Sequence, residues 1–565
     1  MRLCEGSDIP VKASYATLSH CWGSSMPIKM TIQNINDLKS PTPVERLGQT
    51  FRDAIKTALE LGLEYIWIDS LCIIQDSTED WHRESVKMSL VYGNSMCNIA
   101  ATTASDNDAG CFRPHNENTL EPVKITFEKS SVYLTDTQHW AQRFQAELLN
   151  QRAWVVQERL LSPRNIHYDR DQLVWECNEL FASERFPKGF GGLINKTAKP
   201  LRISLDTARL NGQEEAILGQ SLRQVWRPAV NKFAFTNITK PTDRHIAIHG
   251  IGSRIRDICG WPYVAGMFLK NLQSQLCWAT IGDCKSLRPE CAIAPSWSWV
   301  SVNQPVEMMP QWYLVENDKT GDGPRPEDLK EQYLCRVTDV ESGSSAEEST
   351  GHVSTAKLHV SCYMVPAVFI DPEDVHQDRL SEHTLRLDEH RIVNEYRFRT
   401  RPMWADFDFI RDNPAVADRR SRGDTSLGDG AVKISWDFWA ELQPSKVHDL
   451  WFMPVYKVQE YDGWGPAAGY HKFYTIHGLL LQANKTANGR RSFRRCGIFT
   501  INDGWKEFWE RAQSFPPIEG VDLVPTDGVP VPAKVDPSAY WRTRHRNKRA
   551  FFEEDGVLQY QVTIV

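Results

Sequence analysis

The sequence has no run of apolar residues that approaches about 18, the length that a membrane-spanning helix requires. Its first residues, 1–12, lack the long apolar core of a signal peptide. Basic residues are not in excess, because 65 lysines and arginines face 72 aspartates and glutamates, which gives a net charge of −7. These absences argue against a membrane-spanning protein, a secreted protein and a globally basic nucleic-acid binder. We therefore expect a cytoplasmic protein with no membrane span and no nucleic-acid partner.

Several motifs that identify common enzyme classes are also missing. No Walker A loop, GxSxG elbow, HExxH helix or CxxC pair occurs in the 565 residues. Cys277, Cys284 and Cys291 are evenly spaced but stand too far apart for a zinc knuckle. The sequence therefore disfavours a standard nucleoside-triphosphatase, an α/β-hydrolase and a zinc protein. We predict neither a metal site nor a bound cofactor.

The N-terminal part of the chain alternates between strand-like and helix-like patterns. Short runs rich in β-branched and aromatic residues predict three buried strands, at 14–19, 65–69 and 96–101. Between them, a helical pattern covers 51–61 and ends at Gly62, and a second covers 81–92 after a polar turn. Strands and helices that alternate at this spacing indicate right-handed crossovers and a parallel sheet. We therefore predict a three-layer α/β domain.

The pattern is looser farther along the chain. We predict a helix at 140–161 and then a hairpin whose strands lie at 164–168 and 172–176. Strand-like runs follow at 297–302, 357–364, 434–438, 473–482 and 496–501. Three regions result: an α/β domain at 1–180, a mainly helical region at 181–290, and a β-rich α+β region at 291–565. Polar or Pro-rich composition predicts mobile loops in the last region, at 341–355, 411–430 and 515–537.

Glu84 is the most informative single residue. On a helix that turns by about 100° per residue, it falls in the same narrow arc as Trp81 and Met88, in the middle of the apolar stripe. An ionised carboxylate is costly to remove from water without partners. Its carboxylate either lines a functional cleft, or forms a salt bridge to Arg52 or Lys87, or tilts into solvent. The pattern alone leaves these explanations open.

A second group of polar residues stands where predicted strands end. Asp69 ends the second strand, Ser70 follows it, and Ser19 ends the first. In open parallel sheets the carboxyl ends of the strands face the ligand crevice, so we expect these residues and the start of the following helix to surround one pocket. The alternative is that Asp69 only caps a turn. The adjacent His20 and Cys21 point to opposite faces of a strand, so we do not expect them to form a catalytic pair.

Four segments follow one another in order along the chain, and three of them contain a tryptophan: YATLSHCWG at 15–23, YIWIDSLCIIQD at 65–76 and RAWVVQERLLSPR at 152–164, with FRDAI at 51–55 between the first two. Together with Trp81, Glu84 and their neighbours, these segments closely resemble the fungal heterokaryon-incompatibility (HET) domain family. The resemblance is strong over about the first 165 residues and loose beyond them. One departure is the short N-terminus. Family members usually carry more residues before Arg2, so we expect the first strand to be incomplete.

The resemblance implies a trigger of non-self recognition and programmed cell death in fungi. The family is also thought to be distantly related to TIR domains, which have a flavodoxin-like fold. Some TIR domains hydrolyse NAD with a glutamate that follows a tryptophan by a few residues, as Glu84 follows Trp81. The resemblance then implies that Glu84 is the catalytic carboxylate, which stabilises the oxocarbenium character of the ribose. Trp81 or Trp22 would stack on a ring of NAD, and Asp69 with Ser70 would bind its polar groups.

Two interpretations of a different class remain. The domain could signal without chemistry, as an oligomerising module whose activity follows self-association or pairing with another incompatibility protein. Alternatively, the chain is a divergent member of the family that serves another pathway and binds a ligand with its β-rich C-terminal half. The sequence therefore leaves open whether the protein is an enzyme, and NAD enters only as a candidate substrate.

Overall fold

The computed structural model of the 565-residue chain describes residues 1–23, 28–113, 123–127, 130–134, 143–189, 226–270, 272–281, 293–308, 333–341, 355–370, 384–386, 432–436, 450–462, 471–485, 490–502, 518, 520–524 and 559–565. The chain divides into two compact units. The first contains Met1–Gly266 and Ser349–His352, and the second contains Met267–Glu348 and Val353–Val565. Within the described residues, no helix combines the length and the apolar character needed to cross a membrane.

A mixed sheet forms the centre of the first unit. The strands of this unit are β1 (Tyr15–Ser19), β2 (Tyr65–Ile68), β3 (Cys97–Ala100), β4 (Val123–Phe127), β5 (Ser130–Leu134), β6 (Arg164–Tyr168), β7 (Leu173–Cys177), β8 (Phe181–Ser183) and β9 (Tyr263–Val264). The central sheet has the order β2-β1-β3-β6-β7-β8, in which the first four strands are parallel and the last two antiparallel. The parallel strands follow the flavodoxin-like order. The predicted α/β class and the predicted hairpin are therefore confirmed.

Helices cover both faces of this sheet. They are α1 (Ile35–Lys39), α2 (Gln49–Glu60), α3 (Asp69–Cys72), α4 (Thr78–Asn94), α5 (Ala153–Leu161), α6 (226–234) and α7 (Asp243–Cys259). On β2, Ile68 joins the hydrophobic cluster of Phe51 and Ala54 on α2, whereas its neighbour Trp67 contacts Tyr92 of α4 edge-on. Because adjacent residues of a strand face opposite ways, α2 and α4 lie on opposite sides of the sheet. Helices α4, α5 and α7 pack against one another.

Local signals located some helix ends correctly and others not. Gly62 follows α2 with φ at 74°, the left-handed conformation that glycine adopts without strain, as predicted. The helix predicted at 140–161 is not continuous, because residues 143–146 are helical but the helix then breaks. A short 3₁₀ helix spans Leu148–Gln151, and Arg152 has an extended backbone, so α5 begins only at Ala153. The N–H of Ala153 donates to the carbonyl of Asn237, a distant contact that sequence periodicity does not reveal. Residues 140–142 lie outside the described part of the chain.

The second unit is rich in β-structure, as predicted. It contains α8 (Leu272–Leu276) and the strands β10 (Met267–Phe268), β11 (Trp278–Thr280), β12 (Val306–Met308), β13 (Cys335–Glu341), β14 (Lys357–Cys362), β15 (Val365–Ile370), β16 (Thr384–Arg386), β17 (Val432–Trp436), β18 (Leu450–Asp462), β19 (His471–Lys485), β20 (Arg491–Asn502), β21 (Asp522–Leu523) and β22 (Tyr560–Ile564). The main sheet runs β13-β14-β22-β20-β19-β18-β15-β16, so the last strand in sequence lies well inside it.

One strand predicted for this unit is wrong. At 297–302 the chain forms a 3₁₀ helix, Trp299–Ser301, in which the hydroxyl of Ser298 accepts the N–H of Val300. The aromatic residues that suggested a strand are buried as anchors instead, since Trp297 and Trp299 are fully enclosed. The predicted mobile loop at 411–430 lies outside the described residues, as do most of 341–355 and 515–537.

Candidate functional site

Asp69 is the centre of a polar group at the carboxyl ends of β1 and β2. It is the first residue of α3, directly after β2. Its Oδ2 accepts a hydrogen bond from Trp22 Nε1 at 2.9 Å, and its Oδ1 accepts the backbone N–H of Ser70 at 2.6 Å. His20 Nδ1 lies 3.6 Å from Oδ1. The structure thus brings together three residues that the sequence singled out, and it adds His20, which the sequence analysis had not placed in the site.

His20 and Ser70 carry buried polar atoms that lack hydrogen-bond partners among the described residues. These atoms are both ring nitrogens of His20 and the hydroxyl of Ser70, whose residues are 2% and 0% exposed. Burial lowers the pKa of His20, although Asp69 opposes the shift, so the ring is neutral at neutral pH. Buried polar groups are almost always hydrogen-bonded, and an orphan costs about 1–3 kcal/mol. A polar ligand or an ordered water would satisfy these atoms.

Ser19 is the last residue of β1 and lies close to Glu158 of α5. Both residues are on the side of the sheet that α4 and α5 cover. The hydroxyl of Ser19 is 3.2 Å from Asn98 Oδ1 on β3. Glu158 of α5 is 5% exposed, and the Ser19 and Tyr92 hydroxyls both lower the pKa of its carboxyl group. Burial raises the pKa of Glu158 to about 7, and the negative charge of Asp69 adds to this effect. The predicted site residue Ser19 therefore borders a buried acid whose pKa lies near neutral pH.

Sequence reasoning missed Glu158 as a site residue, although the segment at 152–164 contains it. One signal was available. Glu158 is a charged residue in a helix of nine residues whose other members include Val155, Val156 and Leu161, all buried. The same argument that drew attention to Glu84, a carboxylate within an apolar helical stripe, applies better to Glu158.

Glu84 has a different environment from the one expected. The buried face of α4 contains Ser85, Met88 and Tyr92, so the stripe is centred one residue away from Glu84. The Glu84 side chain is 22% exposed, and its Oε1 lies 3.0 Å from Lys87 Nζ and 3.3 Å from a nitrogen of Arg83. The expectation that Glu84 lies in the middle of the apolar stripe is therefore wrong. The salt bridge to Lys87 that we considered as an alternative is present.

Trp81 and Glu84 lie on α4, and the ring contacts of Trp81 are with His82 of the same helix and with α5. The ring of Trp81 packs edge-on against Trp154 of α5, with ring centroids 6.2 Å apart. Burial raises the pKa of the Cys72 thiol to about 12, and the charges of Asp69 and Glu84 both contribute to the rise. The charges of both carboxylates therefore contribute to the pKa of Cys72, a half-buried residue at the end of α3. The catalytic role of Glu84 stays a prediction.

Comparison with known proteins gives a match to the part of the chain that contains these residues. Residues 15–158 match the family model described as heterokaryon incompatibility protein (HET). We call residues 15–158 the HET domain below, after the family model that they match. No curated protein and no solved structure matches the chain. The HET domain begins at the first residue of β1 and ends at Glu158, so it contains every site residue described above. It connects the protein with heterokaryon-incompatibility-type function in general.

The HET domain offers groups for two kinds of interaction at this edge of the sheet. Asp69 supplies a carboxylate that can stabilise positive charge on a ligand. His20 and Ser70 supply polar atoms that are enclosed, so a ligand's hydroxyls reach them only if the surrounding residues move. Within the described residues, no group of three histidine, cysteine or acidic side chains is arranged to hold a metal ion. Asp69, whose side chain is 18% exposed, is the charged group of this set that a polar ligand can reach.

Proposed function

We propose that the HET domain triggers heterokaryon-incompatibility cell death in fungi by hydrolysing the nicotinamide–ribose bond of NAD. The observation that carries this proposal is the group around Asp69, in which Trp22 and Ser70 hold one carboxylate at the carboxyl ends of β1 and β2. Flavodoxin-like sheets bind nucleotides at this edge, where the strand order reverses, and β1 is the strand at which it reverses here.

The chemistry requires little beyond charge stabilisation and water. The bond between ribose C1′ and the nicotinamide nitrogen breaks, its electron pair goes to nicotinamide, and nicotinamide leaves as a neutral molecule. Water forms the new bond to C1′ and loses a proton to solvent, which gives ADP-ribose. Because the leaving group needs no proton, one carboxylate that stabilises the oxocarbenium character of the ribose is sufficient.

Two carboxylates of the HET domain are candidates for this role. Glu84 is the one that the resemblance implies, and its ion pairs with Lys87 and Arg83 hold it on the turn of α4 that follows Trp81. Asp69 is the one with the more enclosed surroundings, beside His20 and Ser70. In our proposal Glu84 stabilises the ribose cation and Asp69 binds polar groups of NAD.

NAD turnover by the purified full-length protein tests the proposal. We expect nicotinamide release that increases with protein concentration, and we expect Glu84→Gln and Asp69→Asn each to lower it by about 100-fold or more, the usual effect of removing one electrostatic stabiliser. The exposed Glu79, in the first turn of the same helix, provides the matched control, and Glu79→Gln should leave turnover unchanged. Thermal unfolding of each variant shows that it is folded.

Two results would contradict the proposal in different ways. Full turnover by Glu84→Gln would remove Glu84 from the mechanism while leaving NAD as the substrate. Absence of turnover at every concentration, with a folded protein, would overturn NAD hydrolysis itself. If that protein nevertheless self-associates, the non-enzymatic signalling module becomes the better account.

A further inference from the structure

A short segment, residues 20–23, carries two of the three groups described around Asp69. The indole N–H of Trp22 donates to Asp69 Oδ2 at 2.9 Å, and His20 Nδ1 lies 3.6 Å from Oδ1. The third group, the backbone N–H of Ser70, is adjacent to Asp69 in the chain. The contacts that fix segment 20–23 therefore decide how the Asp69 carboxylate is held.

Arg152 holds the first residue of this segment. Strand β1 ends at Ser19, whose carbonyl accepts the N–H of Ala101 at 2.9 Å. The next carbonyl, that of His20, accepts a hydrogen bond from Nη1 of Arg152, the residue that precedes α5. Because the guanidinium is charged, this bond is about twice as strong as one between neutral groups.

Close packing fixes the other end of the segment. Gly23 has φ at 70°, a conformation that residues with a side chain rarely adopt. A Cβ atom built on Gly23 would lie 2.3 Å from the Cβ atom of Asp106, in the loop that follows β3. Segment 20–23 is therefore held by a hydrogen bond at His20 and by a close backbone approach at Gly23.

Arg152 is itself fixed from beyond the HET domain, which ends at residue 158. Asn237, between α6 and α7, forms a parallel β-bridge with Arg152. The N–H of Asn237 donates to the carbonyl of Gln151 at 2.6 Å, and its carbonyl accepts the N–H of Ala153 at 3.0 Å. Two backbone hydrogen bonds thus flank Arg152 and set the point from which its side chain reaches His20.

We infer that Arg152 is a positioning residue of the site. Through the carbonyl of His20 it keeps the His20 ring and the Trp22 indole against the two carboxylate oxygens of Asp69. Loss of the guanidinium leaves the carbonyl of a buried residue without its donor, and such a group is costly. Segment 20–23 then shifts, and Asp69 loses the indole N–H that orients its carboxylate.

The Trp22 indole N–H reports this role without any assumption about the ligand. In ¹⁵N-labelled full-length protein, its resonance is the one that Trp22→Phe removes. In Arg152→Met we expect this N–H to exchange with solvent about tenfold faster or more, since a hydrogen bond to a charged group accounts for a factor of this size. Arg152→Lys keeps the charge and one donor group, so its rate should lie between those of the wild-type protein and Arg152→Met.

Arg164 provides the matched control. Its Nη1 also donates to a backbone carbonyl, that of Met96 at 3.2 Å, but at the opposite end of the sheet, where β3 and β6 begin. Arg164→Met should leave the exchange rate of the Trp22 indole unchanged. If Arg152→Met does not fold, the comparison of Arg152→Lys with Arg164→Lys carries the test, and only Arg152→Lys should raise the rate.

Two results would overturn the inference. One is a Trp22 exchange rate that stays at the wild-type value in a folded Arg152 variant. The other is an increase that the indoles of Trp67 and Trp154 share in equal measure. Arg152 would then stabilise the first unit as a whole and would not position segment 20–23.

The consequence for turnover rests on the proposed function, whereas the exchange of the Trp22 indole does not. If Asp69 binds polar groups of NAD, Arg152→Met should raise KM for NAD about tenfold and leave kcat within about twofold, because a misplaced carboxylate weakens the ground state and the transition state alike. Faster Trp22 exchange in Arg152→Met, with no turnover by the wild-type protein, would refute NAD hydrolysis and leave the positioning role intact. Turnover by the wild-type protein, with an unchanged Trp22 rate in Arg152→Met, would refute the positioning role and leave hydrolysis intact.

Discussion

Replacement of Glu176 by glutamine is expected to destabilise the first unit by about 3–5 kcal/mol. Glu176 of β7 accepts two hydrogen bonds from Arg159, at 2.6 and 3.0 Å, and lies 3.2 Å from His167 Nε2. Although burial raises the pKa of Glu176, the cation of Arg159 outweighs it and holds that pKa well below its ordinary value. Glu176→Gln removes the charge and leaves the Arg159 guanidinium buried without its counter-ion.

Chemical denaturation of the wild-type protein and the variant measures this loss. Glu179 stands three residues farther along the chain and is exposed, so Glu179→Gln provides the matched control and should change the free energy of unfolding by less than about 0.5 kcal/mol. The low pKa of Glu176 adds a pH dependence. Its contribution is present above the unfolded pKa of about 4.3 and is lost as pH falls toward the folded value. Equal stability of the two variants would show that the ion pair does not hold the first unit together.

Replacement of Arg495 by methionine is expected to destabilise the second unit by about 4 kcal/mol. Arg495 of β20 is fully buried, and its guanidinium lies 3.3 Å from the centroid of the Trp278 ring. Its nitrogens donate to the carbonyls of Leu276, at 2.6 Å, and Trp278. Methionine fills much of the same volume but donates nothing, so two buried carbonyls lose a donor and the cation–π contact disappears.

Hydrogen exchange of the β11 and β20 amides localises this effect to the second unit. Arg494 is the matched control, because it is adjacent in sequence but only half-buried, and its side chain donates to Gln482 at 3.2 Å. We expect fast exchange in Arg495→Met and nearly wild-type exchange in Arg494→Met. Equal amide exchange rates in the two variants would contradict the stabilising role that we assign to Arg495.

Sheet topology made the centre of the candidate site predictable. Asp69 and Ser70 follow one parallel strand and Trp22 follows its neighbour, and the carboxyl ends of neighbouring parallel strands meet at one edge. The strands themselves were evident because short runs of β-branched and aromatic residues alternated with helical patterns. These features depend on residues close together in sequence, or on general rules of sheet connection.

The residues that the sequence analysis missed depend on distant contacts. The hydrogen bond from Arg152 to His20 joins residues 132 positions apart, and no local period reveals it. Helical periodicity centred the buried stripe of α4 on Glu84, one residue away from its position in the structure, for a related reason. The buried face of α4 includes Ser85, a small polar residue that an apolar pattern does not count. Glu158 had the expected signal, but α5 was merged into a longer predicted helix, which obscured how much of it is buried.

Equilibrium binding of NAD to the full-length protein tests the central claim most directly, namely that the polar group around Asp69 is the ligand site of the HET domain. Isothermal titration should give saturable binding to the wild-type protein and equal binding to Glu79→Gln. Asp69→Asn should weaken it by about 10-fold or more, because a hydrogen bond to a charged group contributes about 1.5–3 kcal/mol. Affinity that is unchanged in Asp69→Asn, or absence of binding to the folded wild-type protein, would contradict the account.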